Sequence, residues 1–115
     1  MPRGITIAEI IEEVANFYGL TKEEMIGRQQ GRRIARPRFI AMAIAKDLTK
    51  HSTTVIGQHF GGRDHTTVSN AINRTPHIPG MKDEIQTVKE WMAPRMAEKR
   101  QREMIQRTYG DGWPE

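Results

Sequence analysis

The sequence contains no cysteine, only 6% aromatic residues and no long apolar run. Without cysteine the chain forms no disulfide, offers no thiol nucleophile and lacks the usual ligands of structural zinc. Its longest apolar run, Phe39–Ala45, is far below the roughly 18 residues that span a membrane, and no signal-peptide core follows Met1. We therefore expect a cytoplasmic protein with no membrane partner.

The 115 residues suffice for a single small domain with one helical core. Charge is distributed unevenly: residues 27–74 hold nine Lys and Arg against two Asp, a net charge of +7, whereas residues 1–26 carry −3 and residues 75–115 balance to zero. A basic middle segment favours a polyanion-binding surface over a merely solvated basic face. The charge pattern by itself favours nucleic acid as the partner.

Helical periodicity and capping residues predict an all-α fold, because no segment alternates between apolar and polar residues as a strand does. Thr6 with Glu9 and Thr21 with Glu24 form two capping boxes, which predict helices that begin just after each threonine. Residues 27–35 lack periodicity and predict a basic loop. The proline of Arg36-Pro37 then predicts the first turn of a third helix, whose core face is Phe39, Ile40, Ala43, Ile44 and Leu48.

Two short helices, 53–60 and 64–75, are predicted to form a helix–turn–helix around Gly61-Gly62, with Ser52 and Asp64 as the helix caps. A last helix is expected from Met81 to about Arg107, kinked or restarted at Pro94. Beyond it, residues 109–115 are expected to fray. Residues 1–78 are thus interpreted as the helix–turn–helix domain, and residues 79–115 as a C-terminal helical extension with a frayed tail.

In a helix–turn–helix the second helix places its N-terminal residues in the major groove. Here those residues are Arg63, Asp64, His65, Thr66 and Thr67. Aspartate accepts from cytosine, histidine donates to guanine, and threonine offers a methyl group to thymine. Each has an ordinary alternative: Asp64 as a helix cap only, and His65 as a surface histidine.

The segment Gly61-Gly62-Arg63-Asp64-His65-Thr66-Thr67-Val68, with Ile34–Arg38 and Ala41–Thr49 upstream, resembles the DNA-binding domain of DnaA, the bacterial chromosomal replication initiator. The resemblance covers roughly residues 5–78. It implies a compact all-α domain with a TrpR-like helix–turn–helix that binds double-stranded DNA at DnaA boxes. It implies no cofactor, no metal and no catalytic residue.

By position, the resemblance implies roles for three groups of residues. Bases in the major groove would be contacted by Asp64, His65, Thr66, Thr67, Thr53 and Thr54. Phosphates would be held by Arg38, Lys46 and Arg63. The loop that enters the minor groove would contribute Arg28, Gln30, Arg32 and Arg33.

The chain departs from the family pattern in three places. Gln30 stands where the family places a minor-groove arginine, so Arg32 is expected to substitute for it and the preferred sequence to change. The ATPase phosphate loop is missing, since residues 57–63 have the wrong spacing and no lysine. We therefore expect neither nucleotide binding nor enzymatic activity. The third departure is the extension beyond residue 78.

The extension carries an apolar series that is interpreted either as a face packed on the domain or as a homodimerisation helix over residues 81–107. The series comprises Met81, Ile85, Val88, Trp91, Met92, Met96, Met104 and Ile105. The favoured function is a stand-alone DnaA-like regulator of replication initiation or transcription. The alternatives are the excised domain of a full initiator, which the start at Met1 and the extension argue against, and an adaptor whose C-terminal helix binds a protein.

Overall fold

The computed structural model describes residues 5–28 and 31–109, and within these ranges every regular element is helical. The elements are α1 (Ile7–Tyr18), α2 (Lys22–Ile26), α3 (Arg32–Thr49), α4 (Thr53–His59), α5 (His65–Arg74), a 3₁₀ turn (Thr75–His77) and α6 (Met81–Tyr109). Both capping boxes are present: the Thr6 and Thr21 hydroxyls accept from the backbone N–H groups of Glu9 and Glu24. The all-α prediction is confirmed.

The core is built around α3, which packs against α1, α2, α4, α5 and α6. Ile40 and Ile44 of α3 belong to one core cluster with Ile10 of α1, Ile56 of α4 and Val68 of α5, and all five side chains are fully buried. Burial of each such side chain contributes about 1.5–3 kcal/mol to the hydrophobic driving force. The interhelical packing therefore fixes the positions of α4 and α5.

Helix α3 differs from its prediction at both ends. It begins at Arg32 rather than at Arg36–Pro37, so Pro37 lies inside the helix. A proline there forgoes one backbone hydrogen bond within the helix; its side chain is buried. At the other end, Leu48 was expected on the core face but is 42% exposed.

Helix α6 lies on the domain through its first half. Met81, Val88, Met92 and Met96 are buried in the common core, and Trp91 packs partly against it, with its ring 5.3 Å from that of Phe17. The helix continues as one element through Pro94, without the restart that the proline suggested. The domain boundary at residue 78 stays a prediction, although the core contains residues from both sides of it.

Polar contacts also attach α6 to the domain. Arg36 of α3 donates its Nε hydrogen to Glu84 Oε1 at 2.8 Å, and the Tyr18 hydroxyl of α1 donates to Glu84 Oε2. Burial alone would raise the pKa of Glu84, but the hydrogen bonds from Arg36 and Tyr18 outweigh it and hold that pKa below its usual range. Farther along, Arg95 Nε donates to Glu13 Oε2 of α1 at 2.7 Å.

The approach of α4 to the turn that follows it depends on one glycine. The Arg63 N–H donates to Gly57 O at 2.8 Å, and a Cβ added at Gly57 would lie 2.1 Å from the Arg63 carbonyl oxygen. That distance is far inside van der Waals contact, and the atom that would have to move belongs to the backbone. Gly57 therefore sets how closely α4 and the chain leading into α5 can pack.

Substitution Gly57→Ala is expected to lower the free energy of unfolding by about 1–3 kcal/mol, because the overpacking cost exceeds the gain in helix propensity. Chemical denaturation followed by circular dichroism measures it. Gln58→Ala, at the exposed next position, is the control and should change stability by less than about 0.5 kcal/mol. A Gly57→Ala variant as stable as the wild type would contradict the close approach of α4 to the chain that leads into α5.

Substitution Glu84→Gln tests the contacts between α6 and the domain. A carboxyl group whose pKa is lowered by folding stabilises the native state above its ordinary value of 4.5, and this contribution is lost as the pH falls through the lowered pKa. The variant should lose about 1 kcal/mol at pH 7. Its unfolding free energy should also vary less than that of the wild type below pH 4.5. If the unfolding free energies of the two proteins change with pH in parallel, the Glu84 carboxylate does not stabilise the contact between α6 and the domain.

Candidate nucleic-acid interface

The predicted helix–turn–helix is present as α4 and α5, joined by the turn 60–64. Gly61 and Gly62 have φ values of +81° and +78°, in the left-handed region that glycine accepts without strain. Phe60, which precedes them, is fully buried, and Val68 and Ala71 form the inward face of α5. The turn and the buried face together direct the N-terminal end of α5 outward.

The four residues predicted to contact bases lie at this end and are all exposed: Asp64, His65, Thr66 and Thr67. Asp64 occupies the N-cap position of α5, but its side chain makes no capping hydrogen bond. Its Oδ1 instead lies 3.2 Å from His65 Nδ1, with the two side chains 65% and 61% exposed. The Thr66 Oγ1 lies 3.5 Å from His65 Nε2. The fold thus gathers four polar side chains on one exposed helix end.

The preceding helix brings Thr53 and Thr54 to its own N-terminus. Ser52 caps this helix as expected, since its hydroxyl accepts from the Val55 N–H at 3.3 Å. Thr54 is exposed and Thr53 is partly exposed, so both remain accessible. Nearby, Lys46 is exposed on α3 and donates from Nζ to His51 O at 3.1 Å, just before α4.

Arg38, which was predicted to hold a phosphate, is buried. Its side chain is 5% exposed and donates to main-chain carbonyls at the end of α2: Nε to Met25 O at 2.9 Å, and Nη2 to Glu24 O at 2.8 Å and to Gly27 O at 3.2 Å. Burial lowers the pKa of Arg38, and the nearby charge of Arg63 lowers it further. The phosphate contact of Arg38 stays a prediction, although here its guanidinium donates to the protein's own backbone.

Arg63 is also turned inward, and it is only partly exposed. Nη1 donates to Phe60 O and, at 3.3 Å, to Ile26 O, while Nη2 donates to Gly27 O at 2.5 Å. Burial lowers the pKa of Arg63. The sequence predicted this arginine as a phosphate ligand, whereas the structure shows it bridging the turn 60–64 and the end of α2.

The predicted minor-groove loop leaves α2 at Gly27 and enters α3 at Gly31. Arg28 is exposed at its start, and Arg33 is paired with Glu24 through its Nη2 at 2.5 Å. Gln30 and the side chain of Arg32, both named as minor-groove contacts, lie outside the described residues. Among the described residues of this segment, Arg28 is therefore exposed, and Arg33 is held in an ion pair with Glu24.

Sequence reasoning missed two exposed residues on the outer side of α5, Asn70 and Arg74. They follow Thr66 at intervals of four residues, which places all three along one helix face. Asparagine is a typical partner of adenine, and arginine of phosphate or guanine. The helical spacing alone could have identified both as candidates for the DNA-facing surface.

Within the described part of the chain, no group of His, Asp or Glu side chains is arranged to hold a metal ion. Among the same residues, none of the helices combines the length and the apolar character needed to cross a membrane.

One comparison with known proteins bears on this geometry. The family model described as the bacterial DnaA protein helix-turn-helix matches residues 7–75, from the start of α1 to the end of α5. The match includes the turn 60–64 and the exposed end of α5, and it stops before α6. Because it covers more than half of the chain, the protein belongs to the family of bacterial DnaA helix–turn–helix DNA-binding domains.

Proposed function

We propose that this protein binds duplex DNA sequence-specifically at DnaA-box-like sites, and that it acts as a regulator of replication initiation or of transcription without ATPase activity. The observation that carries the proposal is the exposed set Asp64, His65, Thr66 and Thr67 at the N-terminal end of α5. Side chains at that end of a recognition helix reach base edges in the major groove. The net charge of +7 over residues 27–74 supplies attraction to the phosphate backbone.

In this proposal α5 enters the major groove and α4 crosses the backbone, with Thr53 and Thr54 adding contacts at their end of α4. Lys46 holds a phosphate beside them. Arg28 and the neighbouring loop residues 30 and 32 approach the adjacent minor groove, where arginine is attracted by the narrow groove's negative potential. Asn70 and Arg74 extend the contact surface along α5.

The proposal implies a nucleoid-associated protein in the cytoplasm that needs no nucleotide, cofactor or metal. It is favoured over the adaptor alternative by the exposed polar set at the end of α5, together with a C-terminal helix whose described apolar residues mostly pack against the domain. A fluorescence-anisotropy titration with a DnaA-box duplex and a scrambled duplex, at several salt concentrations, tests it. Tight binding to the box alone supports sequence-specific recognition, and equal binding to both duplexes contradicts it.

We also propose that one copy binds one asymmetric site. Six members of the apolar series in α6, from Met81 to Met96, pack against the domain, so the described residues of the series offer little apolar surface to a second copy. Met104, which is 61% exposed, is the exception among the described residues of the series. Sedimentation of the free protein and of its DNA complex distinguishes this arrangement from a homodimer through residues 81–107.

Substitution of Thr66 or His65 by alanine is expected to weaken binding to the preferred duplex by about 1–3 kcal/mol and to leave non-specific binding nearly unchanged. The reason is that a base contact is lost while the phosphate contacts remain. Thr87→Ala, the same chemical change at an exposed position of α6, is the matched control. An equal loss on preferred and scrambled duplexes would exclude base contact by these residues.

Substitution Lys46→Ala is expected to weaken binding to all duplexes alike and to reduce the slope of log K against log salt by about one, the value for one lost phosphate contact. Lys82→Ala removes an exposed lysine from α6 and should leave the slope unchanged. Titrations at four or more salt concentrations measure both. If the Lys46 variant keeps the wild-type slope, this lysine does not contact phosphate.

A further inference from the structure

The turn of the helix–turn–helix touches the end of α2 directly. A Cβ added at Gly61 would lie 2.2 Å from the Ile26 carbonyl oxygen, so these two segments of backbone are in close contact. Gly62, the next residue, has nearly the same φ but has open space where its Cβ would be. The close contact is thus specific to Gly61, and it joins elements more than thirty residues apart in sequence.

Two arginines strengthen this contact, and we call them the arginine clamp: Arg38 and Arg63, with the carbonyl groups of residues 24–27. Both guanidinium groups donate to Gly27 O, Arg38 at 3.2 Å and Arg63 at 2.5 Å. Arg63 also donates to Phe60 O in the turn itself. The last carbonyls of a helix have no partners within it, and here the clamp supplies partners from α3 and from the turn.

The position of the clamp relates the two segments that face DNA. Gly27 is the residue from which the loop leaves α2, and Arg28, the exposed cation, follows it immediately. Arg63 immediately precedes Asp64, the N-cap of α5. A single side chain therefore connects the base of the loop to the base of the recognition helix.

We propose that Arg63, assisted by Arg38, is a positioning residue that fixes the loop relative to α5, so that contacts in the minor and major grooves are made together. The inference rests on the DNA-binding function proposed above. A contact that is already held in place adds its full affinity, whereas a loosely held one must first be ordered at a cost in free energy. The clamp therefore determines how much the loop contributes to binding.

Arginine suits this role better than lysine does. Its planar guanidinium presents several N–H groups in a fixed arrangement and can serve three carbonyls at once, whereas an ammonium group is a single point charge on a flexible stem. The variant Arg63→Lys keeps the charge and loses this multiple donation. It separates positioning from phosphate binding, because a simple phosphate contact would survive the change.

The test is a set of affinities for the preferred duplex. Arg28→Ala is made in the wild type and in Arg63→Lys, and His65→Ala is made in the same two backgrounds. We expect Arg28→Ala to weaken wild-type binding about tenfold and the Arg63→Lys protein only about twofold. His65→Ala should weaken both by the same factor. An equal effect of Arg28→Ala in the two backgrounds would overturn the proposal, as would wild-type affinity in Arg63→Lys.

A second pair of variants keeps the test valid if Arg63→Lys folds poorly. Gly61→Ala pushes the turn away from Ile26, while Gly62→Ala imposes the same backbone strain without touching α2. We expect the Arg28 contribution to fall in Gly61→Ala and to persist in Gly62→Ala. An equal contribution of Arg28 in both glycine variants would contradict the proposal.

Hydrogen exchange in the free protein provides a readout that does not depend on DNA. The amides of residues 25–28 should exchange several-fold faster in Arg63→Lys and Gly61→Ala than in the wild type, and Gly62→Ala should match the wild type. Unchanged exchange rates of these amides in Arg63→Lys and Gly61→Ala would overturn the proposed role of the clamp, even if both variants bind DNA. Loss of sequence preference in the wild type, with the exchange pattern as expected, would instead refute the proposed function and leave the clamp as a purely structural contact.

Discussion

The arrangement of the proposed DNA-facing surface depends on a half-buried arginine that has main-chain oxygens as its partners. Arg63 donates to the carbonyls of Ile26, Gly27 and Phe60, in a site where its charge is partly removed from water. Desolvating a guanidinium is costly unless its N–H groups are satisfied, and the unpaired carbonyls at the end of α2 need donors for the same reason. The contact meets both needs, and the five-residue helix α2 is held against the turn.

Features that arise from neighbouring residues were predictable from the sequence. The two capping boxes, the Ser52 cap and the glycines of the turn each depend on residues within a few positions, and all are present. These agreements follow because local hydrogen bonding and backbone sterics act independently of the rest of the fold.

Features that arise from distant residues were not predictable. Arg38 and Arg63 look like surface cations in the sequence, but their partners lie 11 to 14 and up to 37 residues away and are carbonyls, which every residue carries. The start of α3 was placed too late, because proline at a first turn and proline inside a helix leave the same local pattern. Leu48 was assigned to the core by spacing alone, whereas burial there depends on what packs opposite.

The packing of α6 bears on how the protein folds. Its methionines and Val88 complete a hydrophobic core that α1 and α3 begin, and Glu84 accepts hydrogen bonds from both of those helices. A chain cut after residue 78 would carry the whole proposed recognition surface and yet expose apolar side chains of α1 and α3 to water. The hydrophobic core therefore extends past the end of the family match at residue 75. The segment proposed to contact DNA is shorter than the segment whose side chains build the core beneath it.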